Sequence, residues 1–214
     1  MPRKYSLDLT NIKTDSHEKF YWLGFIAGDG NIAKKEARLR IELKEEDKEH
    51  LINFNKFMGS NSPLVERVNN QGCKCVCLSI NSIELKRYLA QYNLVPAKSK
   101  IFTIPLDKIP QQYLFDFLRG LFDADGCLTF ERQRYDRPAL YIVSGNLECI
   151  EQIRKIFQWD TKITTYKNSK NEISGYQLHK SEKQEVLRIL DLMYQNSTEN
   201  SRLKRKYEKR SLIE

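Results

Sequence analysis

The segment YWLGFIAGDG, Tyr21 to Gly30, returns as FLRGLFDADG, Phe117 to Gly126. Each copy is an apolar run with small residues at fixed places, and each closes on an aspartate followed by a glycine. The two aspartates, Asp29 and Asp125, stand 96 positions apart. In the first copy Gly24 and Gly28 are four residues apart and share one helix face; in the second, Gly120 and Ala124 do the same. A glycine inside a helix costs about 1 kcal/mol relative to alanine, so two such faces call for a compensating contact. A small face lets another helix approach until the backbones nearly touch, a steric effect best documented in membranes. Packing the two faces together would bring Asp29 and Asp125 to the same end of one seam.

Two carboxylates held that close repel, which raises a pKa unless cations neutralise them. Hard oxygen ligands suit Mg²⁺, with Mn²⁺ as a substitute, and such ions keep several waters and take phosphate oxygens as further ligands. Metals roughly 4 Å apart activate a water on one side and stabilise a leaving oxygen on the other. Applied twice to a duplex, that chemistry cuts both strands. The bland alternative is that each Asp-Gly merely ends a helix, which does not explain why each copy also carries its own small face.

The rest of the chain repeats with the motif. Asp15-Ser16-His17-Glu18 reads as a capping box for a helix ending near Gly28. Strands are expected at 31–35 and 38–44, a helix from Asp47 to Met58 with Gly59 behind it, strands at 64–69 and 73–80 joined by the turn NNQG, and a helix from Ser82 to about Tyr92. The prolines of NLVPAKSKIFTIPLDKIP interrupt any continuous helix. The cycle then restarts: a helix after Pro110, strands at 127–134 and 139–144, a helix capped by Asn146, strands at 162–167 and 175–180, and a helix boxed by Ser181-Glu182-Lys183-Gln184. This is an α+β chain of two pseudo-symmetric α-β-β-α-β-β-α halves, residues 1–105 and 106–214.

At 214 residues the chain is long enough to bury a real core. No apolar run approaches the roughly 20 residues that cross a bilayer, so a soluble, intracellular protein with no membrane partner is expected. The net charge of +8 favours a polyanionic partner without choosing among them. Five cysteines in such a chain are expected to be free thiols. Cys73, Cys75 and Cys77 alternate, which suits one face of a strand better than zinc, whose sites usually leave two or more residues between cysteines.

Leu118–Gly126 (LRGLFDADG) and, more loosely, Trp22–Gly30 (WLGFIAGDG) resemble the motif of the LAGLIDADG homing endonucleases in their single-chain, two-motif form. Ala27 stands where the motif's first aspartate would be, and the second, Asp29, is retained. The resemblance implies motif helices at the interface of two halves and antiparallel sheets forming a DNA-binding saddle. It implies Mg²⁺-dependent hydrolysis across the minor groove of a long double-stranded target, leaving short 3′ overhangs, in the service of intron or intein homing. Asp29 and Asp125 would bind the metals, helped by the carbonyls of Gly28 and Ala124. A basic residue from each half would lie near the scissile phosphate: Lys98 in the first, and in the second Lys206, with Arg205 close behind.

The saddle gives the basic excess a place. Lys34, Lys35, Arg38, Arg40, Arg67, Lys74, Arg132, Arg134, Lys162, Lys167 and Lys180 recur on the expected strands, and alternation lets Leu39, Ile41 and Leu43 face inward while Arg38, Arg40 and Lys44 face outward. Arginines there grip guanine edges and lysines neutralise phosphates. The run from Arg202 to Arg210 reads as a surface helix end or tail with phosphate contacts. The expected protein is a monomeric, metal-dependent, site-specific DNA endonuclease. Its rivals are an RNA maturase binding intron RNA and a catalytically silent DNA-binding protein of the same fold. An intein is disfavoured, because the sequence opens on Met1 rather than Cys or Ser and closes SLIE without a His-Asn pair.

Overall fold

The structure, a computed structural model, describes residues 5–69, 72–131 and 134–213, with no side chains described for 131–136. A short helix α1 (Thr10–Lys13) leads into α2 (His17–Asp29), β1 (Asn31–Ile32), β2 (Arg38–Lys44), α3 (Lys48–Phe57), β3 (Leu64–Val68), β4 (Lys74–Asn81) and α4 (Ile83–Ala90). The second half runs α5 (Leu114–Asp125), β5 (Cys127–Glu131), β6 (Arg134–Ser144), α6 (Leu147–Phe157), β7 (Thr164–Lys167), β8 (Ile173–Lys180), α7 (Lys183–Tyr194) and α8 (Lys204–Arg210). The order is the expected one, with α1 and α8 added at its flanks. Single 3₁₀ turns at Lys98–Lys100, Gln111–Tyr113 and Glu199–Ser201 join these elements.

Each half contributes one four-stranded antiparallel sheet, ordered β1-β2-β4-β3 and β5-β6-β8-β7. In β2 the alternation holds: Leu39, Ile41 and Leu43 are buried beneath helices, while Arg38, Arg40 and Glu42 lie half-exposed on the other face. Those residues join Val76, Leu78, Ile80, Leu51, Phe54, Leu85 and Leu89 in a core that continues through Leu140, Ile142, Leu178, Ile150, Ile153 and Ile189 of the second half. Alternation along half-buried strands puts apolar side chains on the helix side and leaves the opposite faces to solvent.

Several local expectations need correction. The N-cap of α2 is Ser16, whose hydroxyl accepts from Lys19 N, rather than Asp15, which pairs with the Lys19 ammonium instead. The box at 181–184 does not form: Glu182 precedes α7 without a side-chain cap, and Ser181 accepts from Arg137. Ser82 and Asn146 do cap α4 and α6. Strand β1 is only two residues long, because Lys34 and Lys35 belong to the turn that follows it. Lys86 of α4 fixes that turn by donating to the carbonyls of Ala33, Lys34 and Glu36. Gly59 follows α3 at φ +51°, a backbone only glycine adopts freely, and Gly72 at the β3–β4 turn has φ +77°. All five cysteines are free, with Cys75 and Cys77 in β4. Among the described residues no helix is long and apolar enough to cross a membrane.

Candidate active site

Helices α2 and α5 pack at the centre of the molecule along their small faces. A methyl added to Gly24 would lie 1.9 Å from Phe117 O, and one added to Gly120 would lie 2.0 Å from Tyr21 O. Further along, a methyl on Gly28 would meet Ala124 Cβ at 2.4 Å and the Asp125 Oδ2 at 3.0 Å. The backbones therefore touch, and both helices finish together. Gly30 N closes α2 on Ile26 O and Gly126 N closes α5 on Phe122 O, leaving Asp29 and Asp125 as the last residues of their helices.

This end of the seam is strongly electronegative. Two helix C-termini, with the negative ends of their dipoles, sit beside two carboxylates. Burial, and then the neighbouring Asp125 carboxylate, push Asp29 up to about 6, against the pull of Lys206, Lys98 and Arg205. Asp125 is raised by burial and held back by Lys98 and Lys206. Asp29 is half-buried and Asp125 is exposed, so protein surrounds the pair while water still reaches it.

Two lysines answer that charge, one from each half. Lys98 Nζ donates to Gly30 O at 2.7 Å and to Gly28 O at 3.2 Å. Lys206 Nζ donates to Gly126 O at 2.5 Å and to Phe122 O at 2.7 Å. Gly30 and Gly126 each follow the aspartate of their motif, so the two ammoniums occupy corresponding stations. Both lysines are buried, which lowers their pKa values, opposed by the nearby aspartates. Arg205 points elsewhere: its Nε bridges both oxygens of Asp47, 3.1 and 3.0 Å away. That ion pair ties α8 to the start of α3.

Hard cations fit this donor set. Two convergent carboxylates with raised pKa values gain by neutralisation, and they lie beside helix-end carbonyls. Among the described residues no group of three or more His, Cys, Asp or Glu is placed to hold an ion, so water and a substrate's oxygens must complete any coordination sphere. Of the two carbonyls expected to help, Gly28 O already accepts from Lys98.

The basic residues of the sheets distribute unevenly. Arg40 and Arg67 both pair with Glu42 on the open face of the first sheet, and Arg40 Nε also reaches Cys77 Sγ. Arg38 pairs with Glu36 at 3.1 Å, and Lys34 and Lys35 are exposed in their turn. Lys74 and Lys180 lie at the ends of their strands. Register puts them on the same strand face as Val76 and Leu178, at the strand ends, where they pair with Glu45 and Glu182. Lys162 is exposed ahead of β7 and Lys167 at its end. Arg132 lies outside the described residues, and of Arg134 only the backbone, in β6, is described.

Sequence reasoning passed over Asp123, the motif's other aspartate. It is buried and accepts from Tyr21 Oη at 3.0 Å, Tyr194 Oη at 2.5 Å and Leu203 N at 2.7 Å. With the Tyr21 proton given to Asp123, His50 Nε2, 2.9 Å from Tyr21 Oη, is the donor to that oxygen. Burial, helped by Arg205, pushes His50 down to about 3, so it is neutral. Arg119 is likewise enclosed, bound to Asp116, Met193 O and Ser201 O. The one available signal was Ala27: an acid present in one copy and absent from the other has a job outside the repeat's common task.

Comparison with known proteins bears on the fold. Residues 112–194 match the family model of the LAGLIDADG-like domain. The chain is similar over its length to the LAGLIDADG homing endonuclease I-LtrWI bound to target DNA, with 10% identity, TM-score 0.60, and 92% of this chain and 89% of that one covered. It is similar to I-DmoI in complex with DNA and Ca, with 19% identity, TM-score 0.52 and coverage of 83% and 88%. It is also similar to the N-terminal LAGLIDADG domain of DUF199/WhiA, with 18% identity, TM-score 0.52 and coverage of 89% and 88%. Among curated proteins, a DNA polymerase of Thermococcus hydrothermalis is 30% identical over 141 residues, 63% of this chain; the matched stretch is 8% of the polymerase's length.

Proposed function

For a chain with a LAGLIDADG-like domain and the LAGLIDADG homing endonuclease fold, we propose site-specific double-strand cleavage of DNA with a divalent metal, Mg²⁺ in the cell, bound by Asp29 and Asp125. The observation that carries the reading is the paired site: two aspartates ending two backbone-packed helices, each with a lysine anchored on the carbonyl after it. Bound there, a divalent ion supplies a lowered water pKa and charge to offset the departing oxygen. Asp29 and Asp125 hold and orient it. Lys98 and Lys206 stand beside the carboxylates as donors toward charge that develops on a phosphate or an attacking water. Similar chains are bound to target DNA, which supports a duplex substrate. A single chain provides both carboxylates, so a monomer suffices.

Arg38, Arg40 and Arg67 on the open face of the first sheet, with the exposed Lys34 and Lys35, supply contacts to base edges and phosphates. The match to a stretch of a much longer polymerase shows that sequence of this type occurs inside a larger polypeptide. Cleavage of a randomised duplex library with Mg²⁺, followed by sequencing of the cut ends, tests the reading. Paired breaks at one long sequence, abolished in Asp29→Asn and in Asp125→Asn with DNA binding retained, are the expected result. Tight binding without cutting would move the assignment to a silent binding protein, and a preference for folded intron RNA would move it to a maturase.

A further inference from the structure

We propose that Asp123 is a positioning residue that seats α8 and so sets Lys206 at the second half's side of the site, a device the first half lacks. The inference deepens the nuclease reading and, for its strand-specific consequence, rests on it.

Asp123 gathers donors from three places. Tyr21 comes from α2, Tyr194 from α7, and Leu203 N from the residue on which α8 begins. Leu203 O in turn accepts from Lys206 N and Tyr207 N, at 3.0 and 3.1 Å, opening the helix. One residue is thus tied to Asp123 by its N–H on one side and launches α8 by its carbonyl on the other. Three residues on, the Lys206 ammonium returns to Phe122 O and Gly126 O, which flank Asp123 in sequence. A single turn of α5 therefore grips α8 twice, by backbone at Leu203 and by side chain at Lys206.

A buried carboxylate is costly unless it is fully hydrogen-bonded. The fold does not require one here, because the corresponding place in the first half is Ala27. Lys98 reaches its matching station by other means. Ala97 before it adopts a left-handed backbone, φ +58° and ψ +31°, and Lys98 opens a 3₁₀ turn. That turn is pressed from outside by Gly145, where a methyl would lie 2.2 Å from Ser99 O. The two lysines are equivalent in place and independent in support, so one can be loosened without the other.

The test uses the full chain. Asp123→Asn preserves shape but supplies one acceptor oxygen where the carboxylate had two. Leu203→Pro removes the tethered N–H, together with a buried leucine side chain, at a site whose φ of −81° suits proline and whose preceding residue, Arg202, is extended as proline requires. Lysine reductive methylation followed by mass spectrometry, without DNA or metal, reads how well each ammonium is held. Lys206 should be modified at least about tenfold faster in both variants, with Lys98 changed by less than about twofold. If Lys206 stays protected, or both lysines speed up together, the proposal is overturned. On the duplex recovered from the library, one strand should be cut about 10²-fold more slowly while the other is nearly unaffected, so nicked product accumulates. Equal slowing of both strands would mark Asp123 as a general stabiliser and overturn the proposal as well. If the wild-type chain cuts no duplex, the nuclease reading fails and the labelling result alone decides the seating of Lys206.

Discussion

Gly24 and Gly120 face each other where α2 and α5 meet, each so close to the other helix that an added methyl would lie about 2 Å from a backbone carbonyl oxygen. Backbone cannot retreat as the end of a flexible side chain can. Gly24→Ala or Gly120→Ala should therefore cost at least about 3 kcal/mol, seen as a fall in Tm of about 6–12 °C. Gly175→Ala, whose methyl would stand 3.3 Å from Ser144 O, should cost far less. Equal Tm losses at the three positions would contradict the seam.

The site's electrostatics set a pH signature in the metal-free protein. Asp29 is raised to about 6 in the folded chain, so its carboxyl favours folding at low pH, and that advantage disappears as pH climbs from about 4 to about 6. Asp29→Asn removes the repulsion and should raise Tm at pH 7.5 by about 2–4 °C, after discounting for solvent screening. The gain should shrink to nothing near pH 4. His50 works in the opposite sense: lowered to about 3, it withdraws stability as pH falls below about 6.5. Thermal melts of wild type and variant across pH 4–8 separate the two, since only the Asp29 share differs between them.

Lys98→Met and Lys206→Met should each slow cleavage by about 10²–10³-fold while leaving duplex affinity nearly intact. Each also strips donors from helix-end carbonyls, costing about 1–3 kcal/mol of stability. Single-turnover cleavage with saturating protein reads the first effect apart from the second. A variant that binds poorly but cuts at full rate would make the lysine a phosphate anchor instead.

Duplex binding should weaken by about 10³-fold or more between 50 and 200 mM salt, as expected when at least six phosphates are neutralised. Arg67→Ala should relax base preference at one position and free Glu42 from one of its two guanidinium partners. Fluorescence anisotropy across a salt series checks the slope, and a flat response would remove DNA from the sheet faces.

Much of the architecture was legible because it rests on local chemistry. Ser82 and Asn146 cap their helices through their own hydroxyl and amide, and the alternation of β2 is written in RLRIELK. Meeting of the motif helices followed from Gly24, Gly28, Gly120 and Ala124, whose smallness has few other uses. What escaped reading depends on register or on distant partners. That Lys74 pairs with Glu45 and Lys180 with Glu182 could be seen only once the strand ends were placed beside their neighbours. Asp123 is one of two acids in FLRGLFDADG, and its three donors come from residues 21, 194 and 203. Lys206 could be separated from Arg205 only by position along α8: one side chain turns to the carbonyl of Gly126, the other to Asp47.

A joint in which two main chains rest on each other leaves no cushion of side chains to slide or repack, so the halves keep a fixed distance. On the proposed reading, any strain of fitting a duplex across that joint is borne by the nucleic acid. Base steps lying over it would then be chosen for how readily they bend, even where no residue touches them.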